Sequence, residues 1–167
     1  MSNVLFIEIS VEEDGGNSAV SYKEDGGRFA ETQTIKLSVD TKYSVRISCK
    51  EELKTQDMLL NGEAIYMETK PPAPDSDPSL KVYEGRFSTD KVDKTKKAKR
   101  DVVALQIPLQ YSLLVALQCK YYTLKKKKST SWGETLKNIV VNYKEEEGVE
   151  GTKCVVSSVK CRKIMPR

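Results

Sequence analysis

The chain has 167 residues, 31% of them charged and 38% hydrophobic, with a net charge of +4 and no histidine. That length fits a single domain, residues 1–167, able to bury about 70% of its extended-chain surface without metal or disulfide staples. The missing histidine removes the Ser-His-Asp and Cys-His arrangements, and the modest positive charge favours acidic partners without marking nucleic acid.

Val4 to Val11 alternates apolar and polar residues, with Leu5, Ile7, Ile9 and Val11 on one side, and reads as the first strand. Glu12 to Ser18 reads as a loop. A hairpin is expected over Val20 to Leu37: one strand ending at Tyr22-Lys23, a tight turn at Glu24-Asp25-Gly26-Gly27, and a second strand over Thr34 to Val39. Tyr43 to Cys49 has a clean period of two. Asn61-Gly62, between Met58-Leu59-Leu60 and Ala64 to Met67, is a strong hairpin signal. The prolines of Pro71 to Pro78 forbid pairing and mark a loop within the domain.

Lys81 to Ser88 returns as a strand, followed by the lysine-rich stretch Asp90 to Arg100. Val102 to Leu109 is expected as a strand with Pro108 at an edge or bulge, and Leu114 to Leu124 as the longest one. Asn138 to Lys144 and Lys153 to Ile164 supply the last two, around a Glu145-Glu146-Glu147-Gly148 turn. About nine or ten short strands with almost no helical periodicity predict an all-β fold, an antiparallel sandwich or barrel.

Little in the sequence suggests catalysis. Glu12-Glu13, Glu51-Glu52 and Glu145 to Glu147 fall in turn-like, solvated segments, and nothing in the sequence suggests the burial that acid–base work would need. Gly15-Gly16 and Gly26-Gly27 do not open a helix as a phosphate-cradling loop would. Cys49, Cys119, Cys154 and Cys161 form no Cys-x-x-Cys pair and read as small buried hydrophobes. The protein is therefore read as non-enzymatic, without metal or cofactor.

Two basic runs stand out: Lys94, Lys96, Lys97, Lys99 and Arg100, then Lys125, Lys126, Lys127 and Lys128. They either keep loops soluble or form a patch for an acidic tail or an anionic membrane leaflet, where each cation contributes about 1 kcal/mol. Nucleic acid is not expected, because aromatics are not interleaved with the charges. The N-terminus has no basic head, Glu8 breaks its apolar run, and no stretch of about 18 apolar residues occurs, so a cytoplasmic protein is expected; a monomer is expected as well. The basic runs would place it at the inner face of the plasma membrane.

Tyr22-Lys23, Asp25-Gly26, Arg28-Phe29 and Thr34 to Leu37, at this spacing, resemble the cannabinoid receptor-interacting protein family. Val82-Tyr83-Glu84-Gly85, Lys120-Tyr121-Tyr122 and Trp132-Gly133 extend the likeness over most of the chain. The resemblance implies an adaptor that binds the intracellular C-terminal tail of a G-protein-coupled receptor and modulates its signalling. It also implies a sandwich of immunoglobulin type similar to Rho GDP-dissociation inhibitors, which shelter a lipid tail between two sheets. The alternative function is then a carrier for an acylated or prenylated signalling protein. Ile35, Leu37, Val45, Ile47, Leu105, Ile107, Leu117 and Tyr121 would line its apolar pocket, or else simply fill the core.

Overall fold

A computed structural model describes residues 2–13, 16–123 and 133–165, and all regular structure in them is β. Thirteen strands are present: β1 (Ser2–Glu13), β2 (Gly16–Ala19), β3 (Ser21–Glu24), β4 (Gln33–Ser38), β5 (Lys42–Cys49), β6 (Asp57–Leu60), β7 (Glu63–Tyr66), β8 (Glu68–Lys70), β9 (Lys81–Ser88), β10 (Asp101–Ile107), β11 (Leu113–Tyr122), β12 (Glu134–Gly148) and β13 (Gly151–Lys163). They follow one path, β7-β6-β10-β11-β4-β3-β12-β1-β5-β9-β8, with β13 beside β12 and β2 beside β1.

That path folds back on itself into two layers. Long β12 forms one corner: Glu134 and Thr135 pair with β3, and Ile139 to Lys144 pair with β1. At the far side the chain steps from β7 to β8 through Met67, which is fully buried. There Gly85 of β9 lies so close that a Cβ would sit 2.6 Å from the Met67 sulfur and 2.7 Å from Ile65. The result is a nearly closed, barrel-like sandwich.

One hydrophobic cluster fills the space between the layers. Leu5, Ile7 and Ile9 of β1, Ile35 and Leu37 of β4, Val45 and Ile47 of β5, and Leu113, Val115 and Leu117 of β11 all belong to it. Their period of two is what places each on the inner face. Burying an aliphatic side chain of this kind contributes about 1.5–3 kcal/mol, so the alternation decides the fold.

Several expectations need amending. The strands outnumber the nine or ten expected, because Gly16–Ala19 pairs with β1 and Glu68–Lys70 pairs with β9. The sheet is mixed, since β4 runs parallel to β11 over Ile35 to Ser38. The Glu145 to Glu147 run is strand rather than turn: each of the three pairs with β13, and the reversal falls at Val149-Glu150. Pro108 lies just past the end of β10 rather than within it. The first hairpin closes through a longer loop, Asp25 to Thr32, held by Asp25 N–H donating to the Thr32 carbonyl at 2.6 Å. Asn61-Gly62 behaves as expected, both residues having positive φ, 49° and 83°.

Candidate functional site

The motif block of the first hairpin is assembled around a residue remote in sequence. Arg100, at the foot of β10, turns inward: its side chain is 7% exposed, and that of Asp25 is 8% exposed. Its Nε donates to Asp25 Oδ2 at 3.0 Å and its Nη2 to Oδ1 at 2.8 Å, a bidentate pair. The same guanidinium lies 4.1 Å from the centroid of Phe29, whose ring also meets Arg28 at 5.2 Å. Both cation–π contacts fix the loop.

Thr34 completes the arrangement. Its hydroxyl donates to the Asp25 carboxylate and accepts from Arg100 Nε at 3.1 Å and from Gln118 Nε2 at 2.9 Å. One donor and two lone pairs are thus all used, which a fully buried hydroxyl requires. Gln118 reaches on to Glu31, accepting from its N–H at 3.1 Å and donating to its carbonyl at 3.0 Å. Burial alone would raise the Asp25 pKa, but the hydrogen bonds from Arg100 and Thr34 and the charges of Arg100 and Lys23 outweigh it and hold it below the usual carboxylate value.

The rest of the motif sits beside this network. Tyr22 faces the core, Lys23 Nζ lies 3.9 Å from Asp25, and Gly26 occupies the loop at a φ of 71°. Trp132 lies outside the described residues. So do Lys125, Lys126, Lys127 and Lys128.

Lys94, Lys96, Lys97 and Lys99 are all exposed, on the connection from β9 to β10. The connection is anchored by Thr95, which takes the place that β10 leaves vacant beside the end of β11. Thr95 N–H donates to the Tyr121 carbonyl at 3.0 Å, Tyr121 N–H donates to its hydroxyl at 2.8 Å, and that hydroxyl donates to Asp101 at 2.5 Å. A turn from Lys96 to Lys99, with Ala98 at a φ of 61°, then delivers Arg100 to the buried pair. The basic run therefore divides: four lysines face solvent and the arginine is a buried tie.

The eight inward residues Ile35, Leu37, Val45, Ile47, Leu105, Ile107, Leu117 and Tyr121 are at most 5% exposed and belong to the one core cluster. None of them lines the cleft of about 730 Å³ that opens where β1, β2, β3, β4 and β5 meet. The cleft walls include Val11, Val20, Ser38 and Tyr43, with Lys42 among the lining residues and the 7% exposed Lys36 within it. Burial, and then the charges of Lys23 and Lys120, push the Lys36 amine below the ordinary lysine range. Tyr43 shapes the cleft base. Its hydroxyl accepts from Ser38 N–H at 2.7 Å, and its ring stacks on Phe87 at 5.2 Å.

The sequence singles out Thr34 within the motif block and Arg100 within a basic run, but no local pattern signals that the two meet at Asp25. Among the described residues there is no group of three or more potential metal ligands and no helix long and apolar enough to cross a membrane.

The sequence matches the family described as CB1 cannabinoid receptor-interacting protein 1 over residues 1–157. It is 28% identical over 150 residues to the CB1 cannabinoid receptor-interacting protein 1 of Homo sapiens, a match covering 88% of this chain and 90% of the relative. The proteins of that name from Bos taurus and Rattus norvegicus are 28% and 25% identical with the same coverage.

Proposed function

The chain belongs to the CB1 cannabinoid receptor-interacting protein 1 family, and on that premise we propose that it is a non-catalytic adaptor that binds the intracellular C-terminal tail of a G-protein-coupled receptor and modulates its signalling. The observation that carries this reading is the family match, which spans residues 1–157 and so takes in nearly the whole β domain. The cleft beside β3 and β4 supports it in kind. It is open, mixed in polarity and edged by strands, as suits a peptide segment, with Lys36 and Lys42 among its lining residues. The eight inward side chains pack against one another as core, which gives the carrier alternative no support.

The test is co-precipitation of the full chain with a cannabinoid receptor from detergent-solubilised membranes, run beside the same receptor lacking its cytoplasmic tail. Capture of the intact receptor alone is expected, and loss of capture in Lys36→Met would locate the cleft as the docking place. Equal capture of the tail-less receptor, or none of either, would overturn the reading.

A further inference from the structure

We infer that the outer face of the β7-β6-β10-β11 quarter is a docking surface for an anionic lipid leaflet. Strand register puts Ala64, Leu59, Gln106 and Leu114 in one row across these four strands, on the side away from the core. The rows alongside bring Ala104 opposite Ala116, and Val102 opposite Gln118, onto the same side, with Tyr66 at the margin. A water-facing sheet surface ordinarily carries polar residues at these positions. Here Leu114 is 64% exposed, Tyr66 63% and Val102 52%, and a grouped apolar patch of this kind marks an interaction site.

The shape and charge of the face decide what it meets. Ala64, Ala104 and Ala116 are short side chains, so the relief across this part of the face is low and it suits an extended surface. Lys94, Lys96 and Lys99 line a common hollow with Val102, beside Asp93 and Asp101, so the cations border the apolar patch and outnumber the carboxylates there. Lys120 continues the charge along β11 on the same side, paired in register with Lys36. An apolar face with a tyrosine at its rim and lysines at its border is the arrangement that partitions into an anionic headgroup region, and the basic residues draw it there. The inference is independent of the receptor reading, since lipid alone is enough to test it.

Sedimentation of the full chain with vesicles provides the experiment, comparing phosphatidylcholine alone with phosphatidylcholine containing phosphatidylserine. Binding is expected only to the anionic vesicles and should fall with added salt. Lys96→Gln with Lys99→Gln should weaken it roughly thirtyfold, each cation near the leaflet contributing about fivefold. Leu114→Glu, at an exposed position that does not disturb folding, should abolish it. No sedimentation with anionic vesicles would overturn the inference. So would binding that survives both variants, or retention on a polyglutamate peptide without vesicle binding, which would assign the lysines to an acidic protein partner.

Discussion

Replacing Arg100 by Met keeps the bulk of the stem and deletes the guanidinium. The Asp25 carboxylate, whose side chain is 8% exposed, then loses both bonds from Arg100, at 3.0 and 2.8 Å. Breaking a buried ion pair from one side costs about 3–5 kcal/mol, because the remaining charge is left desolvated. Asp25 retains the Thr34 hydroxyl and has Lys23 at 3.9 Å, so the lower end, about 3 kcal/mol, is expected. For a chain of this size that corresponds to a fall of about 6–12 °C in Tm.

Urea unfolding followed by far-ultraviolet circular dichroism reads the difference, and a cycle with Asp25→Asn isolates the pair. Acid provides a second signature. The Asp25 pKa is depressed in the folded state, so its contribution is complete above the unfolded carboxylate value of about 4 and is lost as pH falls through the folded value. The gap between wild type and Arg100→Met should therefore be full at neutral pH and narrow in acid. A Tm change under about 2 °C, with additive effects in the cycle, would refute the argument that this pair ties the motif loop to β10.

Other perturbations probe the remaining supports. Gly85→Ala would drive a Cβ to 2.6 Å from the Met67 sulfur and 2.9 Å from the Tyr66 carbonyl, so a loss of about 1–3 kcal/mol is expected by chemical denaturation. Thr95→Val removes the hydroxyl shared by Tyr121 N–H and Asp101; a cost of about 1–3 kcal/mol, with faster hydrogen exchange at Tyr121, should follow. Burial raises the thiols of Cys49 to about 11 and of Cys119 and Cys161 to about 12, whereas Cys154 is only half-buried. Iodoacetamide at neutral pH should accordingly label Cys154 first and the other three only on unfolding, as peptide mass mapping would show.

The strands were legible wherever one face had to be buried. Leu5-Ile7-Ile9, Tyr43-Val45-Ile47 and Val115-Leu117-Cys119 each announce a period of two, and the structure buries every one of these side chains. Local turn chemistry at Asn61-Gly62 was equally plain. Pairing across distance was not. Nothing near Arg100 signals that it will meet Asp25, and nothing near Gln33 signals that its amide will accept from Cys161 N–H at 2.7 Å. Glu145 to Glu147 read as a turn because three carboxylates suit solvent, yet pairing with Lys153, Cys154 and Thr152 extends the strand through them. The short pairings of β2 and β8 escaped notice because four or three residues carry too little periodicity to register.

The most direct measurement is a fluorescence anisotropy titration of a labelled peptide, the cytoplasmic C-terminal tail of a cannabinoid receptor, with the purified full chain. Saturable one-to-one binding, absent for a scrambled peptide of equal composition and weakened by Lys36→Met, is the predicted result. An isotherm that never saturates, or one that the scrambled peptide reproduces, would contradict the assignment of this β domain as a receptor-tail adaptor.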